Sequence, residues 1–273
     1  PNHGTIYVMY GPISAGTVNA AAINDFVTGE DGNDEIGGSM AVIDHNGDGV
    51  DDLVVGASGN SEGGTDAGSV YVVHGPFLGA VSLETADVQY LGESAADKLG
   101  DSVSAAGDIN ADGVEDFVVG AKFDDAAAPD AGAAYVIPGG VESGTTEAVN
   151  DFSLVKLTGE QSEDQFGAHV VGNGDIDGEG GDDLMISAPF SGGTSDTGTV
   201  YVFYSPTGGT IAAEDADARF DGEDLSDQFG NALGFAGDVD GDGLNTAILI
   251  GASKKDTTGD DAGGVYLMND IGL

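Results

Sequence analysis

The stretch DINADGVEDFVVGAK, residues 108–122, decides how this chain is read. Oxygen-bearing side chains stand at Asp108, Asn110, Asp112 and Asp116, and Gly113 occupies the sixth position of the loop. A hard cation such as calcium takes about six to eight oxygens at short range, and one tight turn can supply most of them. The residues that follow, FVVGA, are apolar and strand-sized, so the loop leads directly into a buried strand. The same pattern recurs as DHNGDGVDD from Asp44, DIDGEGGDD from Asp175 and DVDGDGLNT from Asp238, at spacings of 64, 67 and 63 residues. One such loop is a common Asp-Gly turn. Four in phase mark a repeated structural unit.

Aligning the copies on their loops exposes further signals at fixed offsets. Upstream stands Gly-Glu, then an acid four residues on, then an apolar residue followed by glycine. These are Glu30, Asp34 and Ile36-Gly37; Glu93, Asp97 and Leu99-Gly100; Glu160, Asp164 and Phe166-Gly167; Glu223, Asp227 and Phe229-Gly230. Downstream the strands read LVVGAS, FVVGAK, LMISAP and ILIGAS. An Asp-Ala-Gly or Asp-Thr-Gly turn then leads to Tyr71, Tyr135, Tyr201 and Tyr266. In the second unit the expected strands are roughly 99–106, 116–121, 133–138 and 152–158. The last strand of a unit, such as 86–92, is mixed in polarity and reads as an outer edge. A repeated four-stranded unit most economically builds an all-β propeller of antiparallel blades.

These residues resemble the FG-GAP repeats of the integrin α-subunit propeller. Phe166-Gly167 and Phe229-Gly230 match the FG, and Ala188-Pro189 the end of GAP, with Ser187 in place of its glycine. Gly56-Ala57, Gly120-Ala121 and Gly251-Ala252 keep the GA without the proline. The resemblance implies calcium in the loop between the first two strands of each blade, on the face away from the usual partner-binding face. It also implies a ring of about seven blades. The chain holds about four to five. The expected division is a partial blade at 1–29, blades at 30–92, 93–159 and 160–222, and an incomplete blade at 223–273. Residues 23–29 could close the last blade, but residues 4–10 would then be surplus, so the chain reads as a segment of a larger ring. Its start at Pro1 rather than methionine suits a processed protein or a piece of a longer one.

The metal ligands follow from position. The first loop offers Asp44, Asn46, Asp48 and Asp52 with the carbonyl of Val50. The second offers Asp108, Asn110, Asp112 and Asp116 with that of Val114, and the third Asp175, Asp177, Glu179 and Asp183 with that of Gly181. The fourth offers Asp238, Asp240, Asp242 and the carbonyl of Leu244, but Thr246 replaces the ninth-position carboxylate, which makes it the weakest. An EF-hand is excluded, because its twelfth-position glutamate is replaced by Val55, Val119, Ile186 and Leu249. The glycines at position six are expected in the left-handed region. His45, at position two, is expected to point outward. The Glu30–Asp34 signal and its equivalents are read as turn-closing groups, and the recurrent tyrosines as packing residues of the third strand.

A net charge of −43, from 49 acidic and six basic residues, excludes nucleic acid and anionic membranes as partners. The excess suits a solvated surface, with adaptation to high salt as one reason for it. Cysteine is absent, and the longest apolar stretches are strand-sized, so no membrane insertion is expected. No nucleophile elbow, phosphate-cradling loop or histidine cluster stands out, and the chain is not read as an enzyme. The function expected is a calcium-binding extracellular or cell-surface module that binds a protein or glycan, with other propeller chains as further partners. Two alternatives stay open: an accessory propeller of a secreted hydrolase or lyase, and a structural part of a cell-surface assembly.

Overall fold

The structure, a computed structural model, describes residues 3–12, 16–193, 196–241, 247–256 and 261–269. Strands β1 (Thr5–Tyr7) and β2 (Phe26–Thr28) form an antiparallel pair. The next unit contributes β3 (Met40–Ile43), β4 (Asp52–Ala57), β5 (Ser69–Val73), β6 (Ala80–Ser82) and β7 (Val88–Leu91). It is followed by β8 (Leu99–Gly107), β9 (Asp116–Ala121), β10 (Ala133–Ile137), β11 (Thr145–Ala148) and β12 (Val155–Thr158). The third comprises β13 (Val170–Gly174), β14 (Asp183–Ala188), β15 (Thr199–Tyr204), β16 (Gly209–Ala212) and β17 (Ala218–Asp221). Last come β18 (Phe229–Gly237), β19 (Ala247–Ala252) and β20 (Gly264–Met268).

The fold is all-β, built from blade-like antiparallel sheets. Within a unit the strands run in sequence order from the inside out, as β3-β4-β5-β7, β8-β9-β10-β12 and β13-β14-β15-β17. The fourth strand is not an outer edge, as its mixed polarity had suggested. A fifth strand, from the third-to-fourth connection of the following unit, lies parallel to it: β6 on β2, β11 on β7 and β16 on β12. Each of these connections continues into a single helical turn, at Leu83–Thr85, Val149–Phe152 or Ala213–Asp215. Buried Leu83, Val149 and Ala213 anchor those turns. The unpaired edge that a propeller blade would present is thus covered by its neighbour. Among the described residues no strand covers β17, and β2 pairs with β1 and β6 rather than with β20.

The core lies between sheets. Val54 of β4 joins Phe117, Val119 and Tyr135 of the next sheet, whereas Leu53 and Val55 of the same strand join Ile6 and Val27 of the preceding one. Further along, Phe166, Leu184 and Tyr201 pack on Val118, Val136 and Leu157. Ile248 and Ile250 pack on Val200 and Val202. The second strands β4, β9 and β14 are therefore buried on both faces, which is why they carry almost no polar residue, whereas β19 is fully buried on one face only.

The FG and GA motifs meet at these junctions. A Cβ on Gly56 would lie 2.0 Å from the Gly100 carbonyl oxygen, and one on Gly120 would lie 2.0 Å from that of Gly167. Gly100 and Gly167 themselves have φ of +90° and +88°, a region L side chains avoid. Glycine on both sides lets consecutive backbones touch. Gly120→Ala must push the two sheets apart, and we expect it to cost about 3 kcal/mol, read as a lowered midpoint in urea unfolding. An unchanged midpoint would show that the junction yields without loss.

Candidate metal centres

Each loop is wound around its first aspartate. In the first loop the Asp44 carboxylate accepts from the Asp48 and Gly49 amides, at 3.0 and 2.8 Å. Asp108 does the same for Asp112 and Gly113, at 2.9 Å each. Asn46 and Asn110 accept from the same fifth-position amides at 2.9 and 2.8 Å. In the third loop Asp175 accepts from Gly178 and Gly180, at 2.8 and 3.0 Å. Gly49, Gly113 and Gly180 have φ of +85°, +93° and +89°, so the sixth position is left-handed as expected. The turn closes without help from other segments, which explains why it is legible as a contiguous motif.

The ninth-position aspartate ties the loop to its blade. Asp52, Asp116 and Asp183 are buried at the start of the second strand. One oxygen of each takes loop amides: Asn46 for Asp52, Ile109 for Asp116, and Ile176 with Asp177 for Asp183. The other oxygen takes the amide of a residue one or two positions past the third strand: Gly75 at 2.8 Å, Gly139 at 2.9 Å and Ser205 at 3.1 Å. Burial raises the Asp52 carboxyl above its ordinary range and pushes Asp116 and Asp183 up to about 6, against the lowering effect of those amides. A divalent cation beside them would supply the opposing charge.

In the third loop Asp175, Asp177 and Asp183 each bring a carboxylate oxygen within 4.8 Å of one another. That is the oxygen-rich, multiply charged donor set a calcium ion needs. The first two loops have asparagine at position three and so bring one carboxylate fewer. Of the fourth loop, Asp238 and Asp240 are described: Asp238 accepts from the Gly241 amide at 2.6 Å, and Asp240 from Asn269 Nδ2 at 2.6 Å. Asp242, Leu244 and Thr246, with Gly243, lie outside the described residues.

Two features escaped the sequence reading. The eighth-position acids link the loops of adjacent blades: Glu115 accepts from the Asp44 amide at 2.9 Å, and Asp182 from the Asp108 amide at 3.1 Å. The paired acids at positions eight and nine were the available signal. The second feature is His45, which is not turned outward. It is fully buried, 5.7 Å from the Phe117 ring and 6.3 Å from that of His74. Ile109 and Ile176 at the same position are buried too, whereas Val239 of the last copy is exposed, so position two is a core position wherever another blade packs over it. Burial, assisted by His74, pushes His45 down to about 4.

At the other end of the strands the acid of the Glu-x-x-x-acid signal closes a turn, as expected. Asp34, Asp97 and Asp164 accept from the amides of Asp31, Ser94 and Gln161 at 2.9, 3.0 and 3.2 Å. The recurrent tyrosines are buried in the core or half-buried. Their hydroxyls are engaged: Tyr71 with Asn60, Tyr135 with Asp124, Tyr201 with Glu160 and Tyr266 with Glu223. No helix among the described residues is long and apolar enough to cross a membrane.

Comparison with known proteins agrees with the fold. The FG-GAP repeat family matches residues 36–73 and 99–137, the first and second copies of the unit. Integrin alpha pat-2 of Caenorhabditis elegans is 32% identical over 208 residues, which covers 68% of this chain and 16% of that protein. Integrin alpha-5 of Xenopus laevis is 31% identical over 176 residues, covering 62% of the chain and 16% of the relative. Integrin alpha-V of Gallus gallus is 29% identical over 224 residues, covering 81% and 20%. The chain spans about a fifth or less of the length of these relatives.

The geometry separates the ninth position from the fifth. Asp116→Asn leaves one buried amide facing a like donor, and should cost about 2 kcal/mol in urea unfolding even with EDTA present. Asp112→Asn should cost under half of that in EDTA and lose the stabilisation that added calcium gives. Equal costs in EDTA would contradict the structural role of Asp116.

Proposed function

The chain carries FG-GAP repeats and is an integrin α-like propeller region, and from that premise we propose that it is a calcium-stabilised extracellular binding module acting in adhesion. The observation that carries the metal is the third loop, where three carboxylates converge at the site the other loops share in sequence. Three negative groups within 4.8 Å of one another repel strongly, and a divalent ion turns that repulsion into stabilisation. The ligands are those set out by position: Asp44, Asn46, Asp48, Asp52 and the Val50 carbonyl; Asp108, Asn110, Asp112, Asp116 and the Val114 carbonyl; Asp175, Asp177, Glu179, Asp183 and the Gly181 carbonyl. Asp238, Asp240, Asp242, Thr246 and the Leu244 carbonyl make a weaker fourth site.

The ions would act on the scaffold rather than on a substrate. The first three loops are pinned by their ninth aspartates to the end of the third strand, and Glu115 and Asp182 tie each of them to its neighbour. Filling the loops therefore stiffens one end of the blades. Partner recognition falls to the opposite end, where the second-to-third and fourth-to-first connections emerge. Integrin α subunits are adhesion receptors for protein ligands, which supports a protein partner for this region and a non-enzymatic role at the cell surface.

Calcium at about 100 times its dissociation constant should add about 2.7 kcal/mol per filled site, so EDTA at moderate salt should lower the melting temperature markedly. Titration calorimetry should resolve three sites and a weaker fourth. An unchanged melting temperature on chelation would refute the metal assignment. A fourth site as tight as the first two would refute the ranking.

A further inference from the structure

Two dipeptides in the chain are Asn-Gly, at 46–47 and 173–174. In this pair the asparagine carboxamide is open to attack by the next backbone nitrogen, because glycine puts no Cβ in the way and turns freely. The structure treats the two differently. Asn173-Gly174 lies on β13, where Gly174 is paired with Asp183 of β14. A Cβ on Gly174 would lie 2.4 Å from a ring carbon of Phe235 in the next blade, so that ring leaves the peptide no room to swing. Asn46-Gly47 lies instead in the first loop. Gly47 is exposed, and a Cβ there would come no closer than 3.4 Å to Val114 of the adjoining loop.

Around Asn46 the loop assembles the parts of an intramolecular acyl transfer. The carboxamide is folded back over the Asn46–Gly47 peptide, because its Oδ1 accepts from the Asp48 amide at 2.9 Å. That amide donates to the oxygen on which negative charge gathers when Cγ is attacked. Nδ2, the group that must leave, donates to the Asp48 carboxylate at 3.2 Å. The amides of Asn46, Asp48, Gly49 and Val50 are all bonded to side chains of the loop. The Gly47 amide, at φ +73°, has no acceptor among the described residues. The second loop supplies the contrast. Asn110 Oδ1 accepts from the Asp112 amide at 2.8 Å, but the next residue is Ala111, whose amide donates to the Asp108 carbonyl at 3.3 Å. Asn46 thus combines a held carboxamide with an unhindered, unbonded amide, and Asn110 has only the first.

We propose that Asn46 is a self-modification site, at which the Gly47 nitrogen attacks Cγ of Asn46 and closes a cyclic imide. The N–Cγ bond forms and the Cγ–Nδ2 bond breaks. The Gly47 amide proton passes through water to the departing nitrogen, which leaves as ammonia. Water then opens the imide. Addition at the side-chain carbon gives aspartate, and addition at the backbone carbon gives isoaspartate, with Gly47 carried on the former side chain. Nothing is oxidised or reduced, and water is the one co-reactant. Either product adds a carboxylate to the first loop. As aspartate it supplies the third-position charge that Asp177 gives the third loop; as isoaspartate it inserts a main-chain carbon and breaks the turn. The effect on an ion rests on the reading of the loops as calcium sites, whereas the conversion belongs to the metal-free chain.

The test incubates the chain at mildly alkaline pH in EDTA, with sucrose to strengthen the fold without occupying the loops and circular dichroism to verify it. Peptides holding Asn46, Asn110 and Asn173 are then followed by mass spectrometry. Asn46 should convert at least about tenfold faster than either of the others, because only there is an unhindered glycine amide placed to attack. In urea, where both Asn-Gly pairs are solvated, Asn46 and Asn173 should convert within about threefold of each other. Gly47→Ala copies the second loop, which accepts alanine at φ +57°, and should slow Asn46 to the rate of Asn110. Asn46→Asp, the aspartyl product, should bind calcium at the first loop at least about threefold more tightly, and equal affinity would overturn the effect on the ion. Folded-state conversion of Asn173 as fast as Asn46, or of Asn46 as slow as Asn110, would overturn the site itself. Those rates are read without metal, so they fail independently of the chelation result.

Discussion

Contact between glycine backbones sets the spacing on which the rest of this structure depends. Gly100 lies against Gly56 and Gly167 against Gly120, so consecutive sheets approach until main chain meets main chain. At that distance the second strands can bury both faces, and apolar side chains of adjacent blades interlock in shared clusters rather than in separate cores. Individual blades have no core of their own. Stability of this kind is a sum over junctions, as in other repeat proteins.

Two sets of contacts reinforce the junctions, one at each end of the strands. At the loop end, Glu115 and Asp182 accept from the first residue of the preceding loop, so that the proposed metal sites are linked in series. At the periphery, β6, β11 and β16 cross to the previous blade and cover its outer strand. Both are arrangements of one blade with the next. A chain with 49 acidic residues and six basic ones can tolerate this crowding because its acids are sorted. Some form loops suited to calcium, some accept buried amides, and some surround the few lysines and arginines.

Much of this was legible in one dimension. The loops, the left-handed glycines, the buried second strands and the turn closed by Asp34 and its equivalents each depend on residues within about ten positions of one another. Their turn chemistry and spacing are the signal. His45 was misplaced because position two looks exposed in a polar loop. Only the burial of Ile109 and Ile176 in the second and third copies, together with the packing on Phe117, reveals it as a core site. The covering strands were missed because GTIA at 209–212 and TTEA at 145–148 carry no strong alternation. They become strands by pairing with β12 and β7, through the tertiary context that governs strand formation.

The sequence by itself determined the repeat, its all-β character, the family resemblance and the residues offered to a cation, because each is written in local spacing repeated four times. The tertiary structure decided which groups share a site. It joined Glu115 to Asp44 and Asp182 to Asp108, and packed Phe235 over Gly174. The reason is physical. A turn is fixed by its own backbone, whereas a contact between blades exists only once the sheets have stacked at the distance their glycines allow.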